Sequence, residues 1–206
     1  MIIRTFLVLA IAFASSQALA QAGAGLDDAN LVSAETLAGH ALLDEQLADT
    51  IVRARPFLTA ADLDSALSNA LNEEDRQALY ASVFRQINLN TAAREEIMLI
   101  PGMSARMAHE FEEYRPYTSL EQFRREIGKY VDDDEVARLE QYVFVPLGLN
   151  SASEDDLMTI PGMTPKMVHE FEEYRPYASM EQFRREIGKY VDDDEVARLE
   201  SYVTLD

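Results

Sequence analysis

The chain has 206 residues, a formal net charge of −19 and no cysteine. The lack of cysteine excludes disulfides, thiol chemistry and zinc–thiolate sites. The strong acidity opposes unspecific adhesion to nucleic acid or anionic lipid. Apolar residues make up 48% of the chain, which is enough for packed cores and unlike a disordered acidic tail.

Residues 1–20 have the pattern of a cleaved export signal. Arg4 gives a positive start, residues 6–14 form an apolar run, and residues 18–20 form a small-residue cleavage site. The apolar run is too short for a permanent membrane anchor. We therefore predict secretion across the inner membrane and a periplasmic protein with no membrane span, which begins at Gln21. This remaining chain has 17 basic and 37 acidic residues, a net charge of −20.

The chain repeats itself with a period of 60 residues. Residues 109–140 and 169–200 are the same 32-residue sequence with two differences. A more divergent copy lies one period earlier, where Arg55-Pro56-Phe57 aligns with the two later Arg-Pro-Tyr sequences. A fixed period of this length indicates that each copy is one structural unit. We predict copy one over residues 21–87, copy two over residues 88–147 and copy three over residues 148–206.

The first two helices predicted in copy two are separated by a Pro-Gly break. Thr91, and Ser151 in copy three, lie where a helix N-cap is expected, and the first helix must end before Pro101. The second helix extends to about Arg115, because apolar residues recur there at spacings of three and four.

Two further helices complete the copy. Ser119 begins a third helix that Gly128 ends, and the acidic residues 132–135 begin a fourth that carries apolar residues up to Val143. No alternating strand pattern is found anywhere in the chain. The predicted fold is therefore all-α, with three tandem four-helix units.

The residues around the Pro-Gly break carry a family resemblance. Ile-Pro-Gly-Met occupies residues 100–103 and again residues 160–163, with Leu-Asn-Thr-Ala ahead of the first break and Pro-Tyr-x-Ser-Leu-Glu-x-Phe beyond it. This order resembles the helix-hairpin-helix repeat of ComEA-type competence DNA-binding proteins. More distantly, it is similar to the extrinsic helix-hairpin-helix subunit of photosystem II. The resemblance covers about 58 residues in copies two and three, and weakly copy one.

The resemblance implies a phosphate site at each hairpin. Exposed backbone N–H groups at the start of a helix, with the positive end of the helix dipole, suit one phosphate of a DNA backbone. Ser104 and Thr164 stand where DNA-binding relatives usually have a second glycine, and either hydroxyl could donate to a phosphate. The residues implied in phosphate binding are Gly102, Met103, Ser104, Arg106, Gly162, Met163, Thr164 and Lys166. Copy one lacks the motif and is expected to act as a cap, since Ala41-Leu42 replaces Pro-Gly.

Other side chains near the hairpins have two interpretations each. The basic residues flanking the hairpins either contact further phosphates or form ion pairs with Glu121, Glu126 and their copies. They are Arg124, Arg125, Lys129, Arg184, Arg185 and Lys189. Met103 and Met163 either enter a groove or pack under their own turn. The tyrosines at 114, 117, 130 and 142 favour packing over base stacking.

No catalytic, metal or cofactor site is predicted. The Asp132–Glu135 cluster lacks the acid spacing of a calcium loop and favours a helix cap. His109 and His169 lack the second histidine of a zinc-protease helix and favour a solvated face. No nucleophile, base and orienting group recur together. We therefore expect a non-enzymatic protein with no small-molecule substrate.

Two functions remain open. The first is weak, sequence-independent binding of double-stranded DNA, with four to six phosphates as the expected order of magnitude. The second is acidic docking to an exported or membrane protein partner. Arg106, Lys166 and the family resemblance favour DNA, whereas the net charge favours docking.

Overall fold

A computed structural model describes residues 25–206, so the predicted export signal lies outside the described residues. The described part is mostly helical, which confirms the all-α fold. Its helices are α1 (Ala34–Ala38), α2 (Glu45–Arg53), α3 (Ala60–Leu67), α4 (Glu73–Tyr80), α5 (Arg94–Ile97), α6 (Ala105–Glu113), α7 (Leu120–Ile127), α8 (Asp133–Glu140), α9 (Glu154–Leu157), α10 (Pro165–Glu173), α11 (Met180–Ile187) and α12 (Asp193–Glu200). None of these helices is both long and apolar enough to cross a bilayer.

Each copy is closed by a pair of short parallel strands, which the sequence pattern did not predict. The strands are β1 (Asp27–Asp28), β2 (Val83–Phe84), β3 (Ile87–Asn88), β4 (Val143–Phe144), β5 (Leu147–Gly148) and β6 (Val203–Thr204). β1 pairs with β2, β3 with β4 and β5 with β6, so the end of each copy returns to its own beginning. Strands of two residues are too short to show alternation. Val143, expected on the fourth helix, lies in one of them.

The Arg-Pro-Tyr segment of the repeat is hydrogen-bonded to the start of its own copy. The Asn90 side chain donates to the Tyr117 carbonyl at 2.9 Å and accepts from the Tyr117 amide at 2.6 Å. Arg115 donates to the carbonyl oxygens of Leu89 and Ala92. The same bonds recur in copies one and three. The repeated asparagine and arginine therefore fix the start of each copy to the segment that follows its second helix.

The N-cap of the first helix in each later copy lies two residues after the predicted N-cap. α9 has Ser153 as its N-cap, in a capping box with Asp156, and α5 begins after Ala93 without a side-chain cap. The prediction at Thr91 and Ser151 was wrong, because both residues lie in a turn. In that turn the Thr91 amide donates to the Asn88 carbonyl, and the Ser151 amide donates to the Gly148 carbonyl.

The acidic clusters begin helices, as predicted. Asp132 accepts from the amide of Glu135 at 2.9 Å, and Asp192 repeats this bond in copy three. Asp133 and Asp134 occupy the first turn of α8, where negative charge offsets the helix dipole. The capping interpretation of these clusters is confirmed.

Copies one and two share one hydrophobic core. A single cluster of buried apolar side chains runs from Ala29 to Val143, whereas copy three forms a second cluster from Leu149 to Val203. Glu96 of copy two also accepts from the amide of Ala60 in copy one at 2.8 Å. The period predicts one structural unit per copy, and this shared core argues against folding of copy two without copy one.

Candidate nucleic-acid interface

The copy-two hairpin (residues 100–106) is a tight turn between α5 and α6. Gly102 has φ +75°, a left-handed conformation that favours glycine. The amide of Met103 donates to the carbonyl of Ile100 at 3.0 Å, which closes the turn. Ser104 then caps α6 by accepting from the amide of Met107 at 3.1 Å. The Ser104 oxygen is used as a cap, while its hydroxyl proton stays available to a ligand.

An arginine from the fourth helix fixes the carbonyl side of this turn. Arg138 donates to the Pro101 carbonyl at 2.9 Å, and Glu135 holds the same guanidinium through two bonds of 2.7 Å. The bond to Glu135 is the main cause that raises the pKa of Arg138. The hairpin is therefore held in its shape before any ligand arrives.

The copy-three hairpin (residues 160–166) repeats this geometry. Gly162 also has φ +75°, and Thr164 caps α10 by accepting from the amide of Met167 at 3.2 Å. Arg198 donates to the Pro161 carbonyl at 2.7 Å. One difference is chemical, because Pro165 at the first turn of α10 has no N–H to offer.

The first turns of α6 and α10 differ in charge from those of the other helices. Among the twelve helices in residues 25–206, all except these two have an acidic residue in the first turn. The two exceptions have Arg106 and Lys166 there instead. A cation at this end adds to the positive pole of the helix dipole and disfavours the helix. The two hairpins are therefore positive points that the helix itself does not compensate.

Arg106 and Lys166 are also exposed and without acceptors. Of the lysines and arginines in the described part of the chain, these two have neither a hydrogen-bond acceptor nor a carboxylate partner within it. The Arg106 guanidinium carbon lies over the ring of Tyr130, 5.9 Å from its centroid. Both cations are therefore free to meet an anionic ligand.

The six flanking basic residues are all engaged in ion pairs. Arg124 makes a bidentate pair with Glu140, and Arg125 and Lys129 both contact Glu126. Arg184, Arg185 and Lys189 repeat these pairs with Glu200 and Glu186. The ion-pair interpretation of these residues is confirmed, although for Arg124 the partner is Glu140 and not the predicted Glu121.

The methionines do not form exposed tips. Met163 is 9% exposed and belongs to the core of copy three, while Met103 is half-buried against the shared core. The prediction that Met163 contacts a ligand is therefore wrong, because this side chain packs under its own turn. Tyr117 and Tyr142 are buried, as the packing interpretation predicted. For Tyr130 that prediction was wrong, since its side chain is 37% exposed and its hydroxyl bonds to that of the half-buried Tyr114 at 2.8 Å.

His109 and His169 lie on exposed helix faces, as predicted. The side chains of His109 and His169 are 61% and 73% exposed, each near a glutamate one turn later. No group of three residues able to hold a metal ion is found in residues 25–206.

Arg85 is a buried arginine that the sequence analysis missed. It is 0% exposed and donates to the Phe57 carbonyl at 3.1 Å in copy one. It also donates to the Tyr202 hydroxyl at 2.6 Å and the Ser201 hydroxyl at 2.7 Å in copy three. The corresponding residues in copies two and three are Val145 and Leu205. An arginine at a position that is apolar in the other copies was the sequence feature that could have identified Arg85. Arg85 joins the first copy to the last.

Comparison with protein-family models and with solved structures gives no match. The chain is similar to an endonuclease/exonuclease/phosphatase family domain-containing protein 1 from Xenopus laevis, at 26% identity over 167 residues. The similarity covers 66% of this chain and 27% of that protein. The name of that protein describes an activity that belongs to it, and the aligned share is too small to assign that activity here.

Proposed function

We propose that this chain binds the backbone of double-stranded DNA weakly and without sequence preference, as a non-catalytic, exported protein resembling the ComEA type. One observation carries the proposal. The two described cations without partners, Arg106 and Lys166, lie on the two helix N-termini that lack acidic compensation.

The chemistry of these positions suits phosphate. A phosphate would accept from the backbone N–H groups of the first helical turn and neutralise the adjacent cation. The cost that Arg106 and Lys166 impose on their own helices would be removed in the complex. Phosphate contacts position a duplex and carry no sequence information, so no sequence preference is expected.

The ion pairs reduce the number of DNA phosphates that the chain is expected to contact. An estimate of four to six phosphates counts the flanking arginines and lysines as DNA contacts. Since all six are held by glutamates, about two phosphates, one for each hairpin, are expected. The net charge of −20 on the predicted mature chain opposes DNA further. Binding is therefore expected at low ionic strength and should be faint at physiological salt.

A titration of the exported protein with a short fluorescent duplex at several salt concentrations tests this function. The logarithm of the association constant should fall with the logarithm of the salt concentration with a slope of about −2, from about −0.9 per phosphate. A duplex of unrelated sequence should bind equally well. Absence of binding at low ionic strength contradicts the proposal, and a slope near −5 would show that the flanking ion pairs open on the DNA.

Docking to an exported or membrane protein is the second candidate. The pairing of the six flanking cations favours it, because within residues 25–206 these cations are neutralised by glutamates and the acidic surplus remains. A protein with a basic surface would be the matching partner. The same titration separates the two functions, since docking alone predicts no affinity for duplex DNA.

A further inference from the structure

Copies two and three have nearly the same sequence but different surroundings at the hairpin. The side chain of Arg138 is 35% exposed, whereas that of Arg198, its equivalent, is 3% exposed. Both hold the proline carbonyl of their hairpin and both pair with a glutamate one turn earlier. The difference therefore comes from what lies over copy three.

Copy one lies over the copy-three hairpin. The Cδ atoms of Leu31 are 3.0 and 3.2 Å from the point where a Cβ on Gly162 would lie. At Gly102, the nearest atom to the same point is Nη2 of Arg138, at 3.8 Å. Leu31 thus contacts one of two otherwise equivalent turns.

Polar bonds hold copy one in this place. The Tyr202 hydroxyl donates to Asp28 at 3.4 Å, and Arg85 bonds to Tyr202 and Ser201 of copy three. Three residues of copy one, Asp28, Leu31 and Arg85, thus contact copy three. Copy one also reaches copy two, where Gln77 donates to the Leu99 carbonyl at 3.4 Å just before the hairpin. Within residues 25–206, however, no side chain of another copy comes within 4 Å of the Cβ point of Gly102.

We infer that the two hairpins have divided their functions: the copy-three hairpin is an internal docking site for copy one, and the copy-two hairpin is the principal DNA-phosphate site. The second half rests on the proposed function. The backbone N–H groups of the two hairpins agree with this division of functions. The first N–H groups of a helix have no partner within it, and α6 offers those of Ala105 and Arg106, whereas Pro165 removes one from α10.

Melting of two matched variants of the full chain tests the docking half. Arg138→Ala and Arg198→Ala remove the same bonds to proline and glutamate in their own copies. Only Arg198 is covered by copy one, so Arg198→Ala is expected to lower Tm more, by about 4 °C or more beyond the shift of Arg138→Ala. Equal shifts in the two variants would overturn internal docking.

Single charge reversals test the DNA half in the titration described above. Arg106→Glu is expected to weaken binding about tenfold or more at low salt, and Lys166→Glu by about threefold or less. Equal losses overturn the division but leave the proposed function standing. If the parent protein binds no duplex, the proposed function and the DNA half fail together, while the melting comparison still decides the docking half.

Discussion

The double variant Arg106→Glu/Lys166→Glu is expected to lose measurable duplex binding at low salt while keeping its helical circular dichroism and its Tm. Both side chains are exposed, and within the described part of the chain their replacement removes no hydrogen bond or ion pair and only the cation–π contact of Arg106 with the Tyr130 ring. Acidic residues in the first turn of a helix contribute about 0.3–1 kcal/mol of stability, so the variant should melt at the same temperature or slightly higher. A loss of binding with a gain in stability would identify these positions as functional.

Arg53→Glu is the control for net charge. Arg53 is exposed at the end of α2, far along the chain from either hairpin, and its one described bond is to Thr50 at 3.4 Å. Arg53→Glu changes the net charge by half as much as the double variant does, and it is expected to weaken DNA binding only slightly. If the double variant binds DNA as well as the parent, or if Arg53→Glu removes binding as well, the hairpins are not the phosphate sites.

Replacement of Arg85 by alanine should destabilise the chain by about 3 kcal/mol or more. The change removes one of the two donors to the Phe57 carbonyl, since Asn30 remains, and it leaves the hydroxyls of Tyr202 and Ser201 without the Arg85 donor. It also opens a cavity beneath the rings of Phe144 and Tyr202. For a chain of this size, about 3 kcal/mol corresponds to a decrease in Tm of roughly 6–12 °C. Differential scanning calorimetry measures the shift directly.

Two further substitutions serve as comparisons for the stability change of Arg85→Ala. Arg85→Met keeps most of the volume and loses the hydrogen bonds, so its cost separates bonding from packing. Arg53→Ala removes an exposed arginine and is expected to change stability by less than about 0.5 kcal/mol. A Tm for Arg85→Ala within one degree of the parent would mean that copies one and three are not joined through this side chain in solution.

The sequence alone determined the helical elements and most of their ends. Proline, glycine and capping residues act within a few residues of the chain, so the breaks at Pro101-Gly102, the cap at Ser119 and the end at Gly128 follow from local chemistry. The period of 60 residues indicated that each copy repeats the same elements. Arg106 and Lys166 were identified in the same way, because the hairpin motif is a local pattern.

The tertiary structure decided everything that depends on neighbours distant in sequence. Strand pairs of two residues join positions 56 residues apart, and Arg124 selects Glu140 over the nearer Glu121. Copies two and three make the sharpest case, since nearly identical sequences give the equivalent side chains Arg138 and Arg198 exposures of 35% and 3%. No pattern within a copy could show this, because the neighbour that lies beside Gly162 together with Arg198 is Leu31, which belongs to copy one. A side chain's surroundings are set by which units pack together, and only the folded chain determines that packing.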